Sequence, residues 1–192
     1  MGLDSVELVL EIEKFFEIQI PDQEAEKINT VQDFTDIVAK RLNITSYSKE
    51  LQDKIHLKLT EELAMRGAKD DKITLTDKIS DNLQVGIILY LNWKNDLLLE
   101  SPKAVANSDK SILSTLKKQI GWLPKYDWGT ITIEGFVDAI CANNYNKLIN
   151  PKEINSFYEV YISIVGITAH KIGVDIFEIS PEKSFTKDLG ID

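Results

Sequence analysis

A single cysteine, Cys141, stands among the 192 residues. It excludes an internal disulfide and points to a reducing compartment. Long apolar runs are missing too. Stretches such as Val85 to Leu91 fall far short of the ~20 residues a membrane helix needs. No basic-then-apolar leader stands at the start, so no secretory signal is expected. Basic excess is absent: 31 acidic residues face 22 basic ones, a net charge of −9, which argues against nucleic acid as a partner. No glycine-rich phosphate loop or Ser/His/Asp spacing occurs. His56 and His170 lie far apart and Cys141 lacks a cysteine partner, so metal binding has no support. Met1-Gly2 lacks the Ser/Thr that N-myristoylation requires, Val6 standing there. These absences lead to the expectation of a cytoplasmic, non-catalytic protein, and the all-α fold expected of it rests on its helical periodicity.

What is present is an uneven charge. Residues 1–42 hold ten acids and four bases, and residues 150–192 hold seven acids and four lysines. Residues 43–149 hold fourteen of each and are neutral. The whole acidic excess therefore sits in the two outer segments, which suggests that they belong to one unit.

Asp4 and Glu7 have capping-box spacing, and Leu8, Ile12 and Phe16 recur on one helical face. Glu7 and Glu11 lie one turn apart on a solvated face, with Glu13 beside them. Ile20-Pro21-Asp22 breaks that helix, with Asp22 as the expected cap of a short acidic one. Thr30 is the expected cap of another, whose stripe is Val31, Phe34, Ile37 and Val38. Far along the chain, residues 154–171 read as a helix closed by Gly173. A loop follows in which Phe185 is the large apolar anchor. Either outer segment alone offers too little core. Together they make a four-helix bundle of about 85 residues.

Here the sequence resembles the acyl carrier proteins. Residues 167–192, ITAHKIGVDIFEISPEKSFTKDLGID, are similar to the first half of such a carrier, ending in Asp188-Leu189-Gly190-Ile191-Asp192. Residues 3–42, with Val-Glu-Leu-Val, Ile-Pro-Asp, Glu-Ala-Glu-Lys-Ile and Thr-Val-Gln in order, are similar to the second half. The halves appear in reverse order, the pattern of a circular permutation. The expected organisation is a discontinuous bundle from residues 1–42 plus 150–192, with 43–149 as an inserted, mainly helical middle domain.

The resemblance implies a serine directly after Asp-Leu-Gly-x-Asp, carrying 4'-phosphopantetheine. Two placements compete. By local pattern, Gly2-Leu3-Asp4-Ser5-Val6 makes Ser5 the attachment point. By spacing, the serine precedes the proline of the Ile-Pro pair by nineteen positions, and counting back from Pro21 lands on Gly2. A three-residue deletion would rotate the helix's apolar face by about 300°, whereas Leu8, Ile12 and Phe16 already stand in phase with Gly2 at the serine's place. The spacing placement is therefore preferred: the break of the permutation falls on the attachment site, and that site has no serine. Ser5 is then an early-helix hydroxyl beside the Asp4 cap.

The resemblance further implies docking to enzymes of fatty-acid, lipid or polyketide metabolism through basic patches on those enzymes. The docking residues carried over are Asp4, Glu7, Glu11, Glu13, Asp188 and Asp192, with Lys14 a local departure. Alternatives are a working carrier, loaded on Ser5 by a phosphopantetheinyl transferase, and a homo-oligomer built by exchange of half-bundles.

The middle offers a fainter pattern. Residues 47–66 read as a helix ending at Gly67, and Ile73–Leu83 can be laid on Ile179–Leu189. Ser108–Pro124 can be laid on Ser5–Pro21, and Thr132–Asp138 on Thr30–Asp36. A degenerate second carrier-like bundle is one reading of these phases. Gln84–Asn107 is unmatched, a hairpin or an extra helix. Trp122, Tyr126 and Trp128 around Leu123-Pro124 read as core and turn residues.

Overall fold

A computed structural model describes residues 2–65, 72–79, 99–100 and 130–191. The described residues are helical, with isolated bridges in place of strands. The helices are α1 (Leu3–Phe16), α2 (Asp22–Ala25), α3 (Val31–Arg41), α4 (Glu50–Met65), α5 (Ile133–Asn143), α6 (Tyr145–Leu148) and α7 (Phe157–Ile172), followed by a 3-10 turn, Ile176–Glu178. Two compact units divide the chain: Met1–Leu51 with Cys141–Asp192, and Gln52–Ile140.

The first unit is organised around α7. Its sequence is apolar on nearly every face, and Val160, Ile162, Ile164, Val165 and Ile167 are all buried. Such a helix must be covered on several sides, and α1, α3 and α6 do so. Ser156 and Glu159 form a capping box at its start, and Gly173 closes it at φ 77°, where a Cβ would be strained. Gly166 permits the closest approach: an added Cβ would lie 2.3 Å from the Ala142 carbonyl oxygen and 2.4 Å from Tyr145 Cδ1.

The stripes on the covering helices follow the sequence. Leu8, Ile12 and Phe16 of α1 are buried, as are Val31, Phe34 and Val38 of α3, with Ile37 only half-buried. Thr30 caps α3 in a capping box with Asp33. Two expected caps differ. The N-cap position of α1 is Gly2, with no side-chain cap bond, and Asp4 sits inside the first turn. Asp4 thus acts through the helix dipole, as a negative charge near exposed N–H groups. Likewise Pro21, not Asp22, precedes α2; its φ of −59° already suits a helix entry, so the chain turns one residue earlier than expected.

Residues 179–191 close over α3. An antiparallel bridge joins Thr30 to Ser184. Val31 N–H donates to the Lys183 carbonyl (3.1 Å), Gln32 N–H to that of Pro181 (2.8 Å), and Phe185 N–H to that of Asn29 (3.0 Å). The Phe185 ring meets the edge of Phe34 at 5.9 Å between centroids. The outer segments therefore share one core, in which Ile191 and Leu189 are also buried.

In the second unit, α4 buries Ile55, Leu59 and Leu63, and α5 buries Ile133, Phe136, Val137 and Ile140. Buried Gln52 donates to Asp138 Oδ1 at 2.7 Å, and His56 Nε2 lies 3.0 Å from the Ile73 carbonyl oxygen. Helix α4 begins three residues later than the sequence suggests, after Ser46 and Ser48 hydroxyls engage the backbone of residues 48 and 50. Residues 84–98, 101–129 and Gly67, with their tryptophans, lie outside the described residues.

Main-chain bonds in this unit repeat those of the first. A bridge joins Lys78 to Thr132. Ile133 N–H donates to Asp77 (2.8 Å), Glu134 N–H to Leu75 (2.8 Å) and Ile79 N–H to Ile131 (3.0 Å). Thr132 Oγ1 accepts from Gly135 N–H at 3.1 Å, as Thr30 Oγ1 accepts from Asp33 N–H at 3.1 Å. The paired positions are those that the alignment of Ile73–Leu83 and Thr132–Asp138 on the outer segments brings together.

Candidate functional site

Helix α1 presents two surfaces of interest, one inward at its start and one outward along its length. At its start lies a cavity of about 440 Å³. Leu8, Val9, Ile28, Phe34, Phe185 and Ile191 give it apolar walls, and Gly2, Ser5, Asn29 and Thr186 supply polar lining. The cavity exists because residues 185–191 fold back over α1 and α3, which brings Ile191 and Gly2 to one lining. Asp192 lies outside the described residues.

Gly2 offers no hydroxyl, so the spacing-derived attachment position cannot form a phosphodiester. Ser5 does have one, but it stands at the third helical position, half-buried in the cavity lining. The residues present do not fit a phosphopantetheine arm at Gly2.

On the outward face, the expected docking acids are exposed or half-buried, and most hold a partner. Asp4 is exposed. Glu7 Oε2 lies 3.2 Å from Lys171 Nζ, and Glu11 Oε1 lies 3.4 Å from Lys14 Nζ. Glu13 accepts from the Ile20 N–H, which ties the end of α1 to the following turn. Asp188 Oδ2 accepts from Ser184 N–H at 2.8 Å and so holds the closing loop rather than projecting freely. Glu17 pairs with Lys152 at 3.6 Å. Such exposed pairs contribute little, with a median of about 0–1 kcal/mol.

Sequence reasoning missed two features here. Val6 and Leu10, one turn apart, are 40% and 57% exposed and give the acidic face an apolar centre. Their phase, off the Leu8–Ile12–Phe16 stripe, is the signal that could have found them. Lys152 and Lys171 have no such signal, since their pairing depends on tertiary folding.

Elsewhere in the unit, burial pushes the Tyr145 hydroxyl up, and Glu11 acts in the same direction. The Arg41 guanidinium, 2.8 Å from Glu24, holds that carboxyl below the usual carboxylate range. Among the described residues no group of three metal-ligating side chains occurs, and no helix is long and apolar enough to cross a membrane.

No family model and no solved structure matches the chain. Curated proteins do match in part. An acyl carrier protein of Chlorobium phaeobacteroides and one of Chlorobium phaeovibrioides are each 54% identical over 40 residues, 21% of this chain and 51% of theirs. An acyl carrier protein of Thermosynechococcus vestitus is 50% identical over 41 residues, again 21% of this chain and 51% of its own. The chain thus spans about half the length of the curated relatives it matches, and it contains a segment similar to acyl carrier proteins.

Proposed function

We propose that the unit formed by the outer segments is an acyl-carrier-like interaction module in permuted order. It docks to enzymes of acyl-chain metabolism, in fatty-acid, lipid or polyketide synthesis, and does not itself carry phosphopantetheine. The single observation that supports this most is the closure of residues 179–191 over α1 and α3. It brings Ile191 into one cavity lining with Gly2, the position where the resemblance expects the attachment serine. This shared lining supports reading the closing loop and the start of α1 as the two sides of a carrier's attachment region, with glycine in the serine's place.

Docking runs through α1: Val6 and Leu10 supply apolar contact, and Asp4, Glu7, Glu11 and Glu13 supply charge. Opposite charge on a partner raises encounter rate and selects among partners more than it adds affinity. In this reading the protein is cytoplasmic and non-catalytic. The repeated main-chain junction supports reading the middle unit as a second, diverged copy of the same bundle, in ordinary chain order.

Incubation with coenzyme A and a broad-specificity phosphopantetheinyl transferase, read by intact mass, tests the proposal. The unmodified mass is the expected result. A phosphopantetheine adduct that disappears in Ser5→Ala would instead make the protein a working carrier loaded on Ser5.

A further inference from the structure

Helix α1 keeps an acidic face with an apolar centre, although the attachment position at its start carries no hydroxyl. At about 100° per residue, Val6, Leu10, Glu7, Glu11 and Asp4 fall within roughly 160° of the helix circumference. That arc lies opposite the buried stripe of Leu8, Ile12 and Phe16. Val6 and Leu10, 40% and 57% exposed, form an apolar pair one turn apart. Exposed Asp4 and Glu7 and half-buried Glu11 flank that pair. Which enzyme fits such a surface follows from what the chain lacks. An enzyme that acts on an arm-borne acyl chain binds the arm and the chain as well as the protein, and those contacts are missing from a bare protein. An enzyme that installs the arm brings it on coenzyme A and must recognise the bare protein alone. Without an arm, the α1 face is complete for the second kind of enzyme and incomplete for the first.

We propose that the protein is a dead-end competitor for carrier loading. A phosphopantetheinyl transferase with a basic docking patch binds the α1 face, meets no hydroxyl at Gly2, and is withheld from carriers that have one. This inference rests on the docking reading above and adds to it the partner and the consequence. Binding comes from burial of Val6 and Leu10 and from the charge of Asp4, Glu7 and Glu11 against a basic patch. The reacting hydroxyl acts chiefly in the transition state, so its absence abolishes turnover and leaves ground-state binding in place. No bond forms or breaks in the complex, which dissociates unchanged. The chain therefore raises the KM for a carrier and leaves kcat as it was. At an affinity equal to the carrier's and with both proteins saturating, a tenfold excess of the chain slows loading about elevenfold by mass action.

The test assays a broad-specificity transferase with an acyl carrier protein as acceptor and coenzyme A as donor, in the presence of increasing amounts of the unsubstituted chain. Intact mass follows both proteins. A carrier KM that rises with the chain's concentration, at constant kcat and with the chain's own mass unchanged, is the expected result. Glu7→Ala/Glu11→Ala and, separately, Leu10→Glu should each weaken the inhibition several-fold at low salt and the first of them much less at high salt. Both alter exposed or half-buried positions, and circular dichroism checks that the helices are kept. Loading that stays unchanged at a tenfold excess of the chain overturns the proposal. So does inhibition that both folded variants retain, or modification of the chain itself. Gly2→Ser separates this failure from that of the docking reading. A Gly2→Ser variant that is modified beside a parent that does not inhibit overturns the competitor and leaves the docking reading standing. A Gly2→Ser variant that stays unmodified, with no inhibition by the parent, overturns both.

Discussion

Phe185→Ala removes the ring by which the closing loop is anchored. Phe185 is 6% exposed and Phe34 is 1% exposed, and their rings meet at 80° with centroids 5.9 Å apart. Truncating a buried phenylalanine costs about 3–5 kcal/mol, through lost transfer energy and the cavity left behind. An edge-to-face pair adds about 0.5–1.5 kcal/mol beyond area burial. Phe34→Ala and Phe185→Ala are therefore each expected to cost at least 3 kcal/mol, a large part of a total that is typically about 5–15. The double variant should cost less than the sum by about 1 kcal/mol, because the second truncation no longer breaks the pair. Native-state hydrogen exchange of α7 amides measures this in the right place, since α7 is the centre of that core. Opening energies at α7 and α3 should fall together. A Phe185→Ala cost below about 0.5 kcal/mol, or no coupling with Phe34, would refute a core shared by the two outer segments.

Gly166→Ala is expected to destabilise the same unit by about 1–3 kcal/mol, measured by urea unfolding, because its Cβ meets the Ala142 carbonyl oxygen at 2.3 Å. Adding Tyr145→Ala should recover only part, since the carbonyl remains. At Asp33, burial acts to raise the carboxyl's pKa, but hydrogen bonds from Thr30 and Asn29 outweigh it and hold it below the usual aspartate value. Its folded-state pKa being depressed, its contribution is present above about pH 4 and lost as pH falls through the lowered value. Urea midpoints of the parent should therefore drop more between pH 5 and pH 2 than those of Asp33→Asn. Docking is testable on the Gly2→Ser background, with the transferase as the basic partner. Glu7→Ala/Glu11→Ala should slow its modification several-fold at low salt and much less at high salt; equal rates at low salt would count against docking through α1.

Much of the first unit was legible because its signals are local. The period of Leu8, Ile12 and Phe16, the Thr30 cap and Gly173 each act within a turn or two of helix. The start of α1 was misplaced because Asp4 and Glu7 have capping-box spacing, while the backbone already turns helical at Leu3. Spacing alone does not say whether a carboxylate caps a helix or lies within its first turn. The partners of Glu7 and Glu17 were not legible, because Lys171 and Lys152 reach α1 only through the tertiary fold. The junction of the middle unit was faint for another reason. Main-chain hydrogen bonds and one capping threonine maintain it, and these constrain few side chains, so Lys78 can stand where the first unit has Ser184.

Gly2→Ser tests the central claim most directly, because it places a hydroxyl at the position that shares a cavity lining with the closing loop. Intact-mass measurement after incubation with coenzyme A and the transferase should show one phosphopantetheine on the Gly2→Ser variant, retained in Gly2→Ser/Ser5→Ala, and none on the parent. A variant that stays unmodified while folded, or a parent that is modified, would contradict the account.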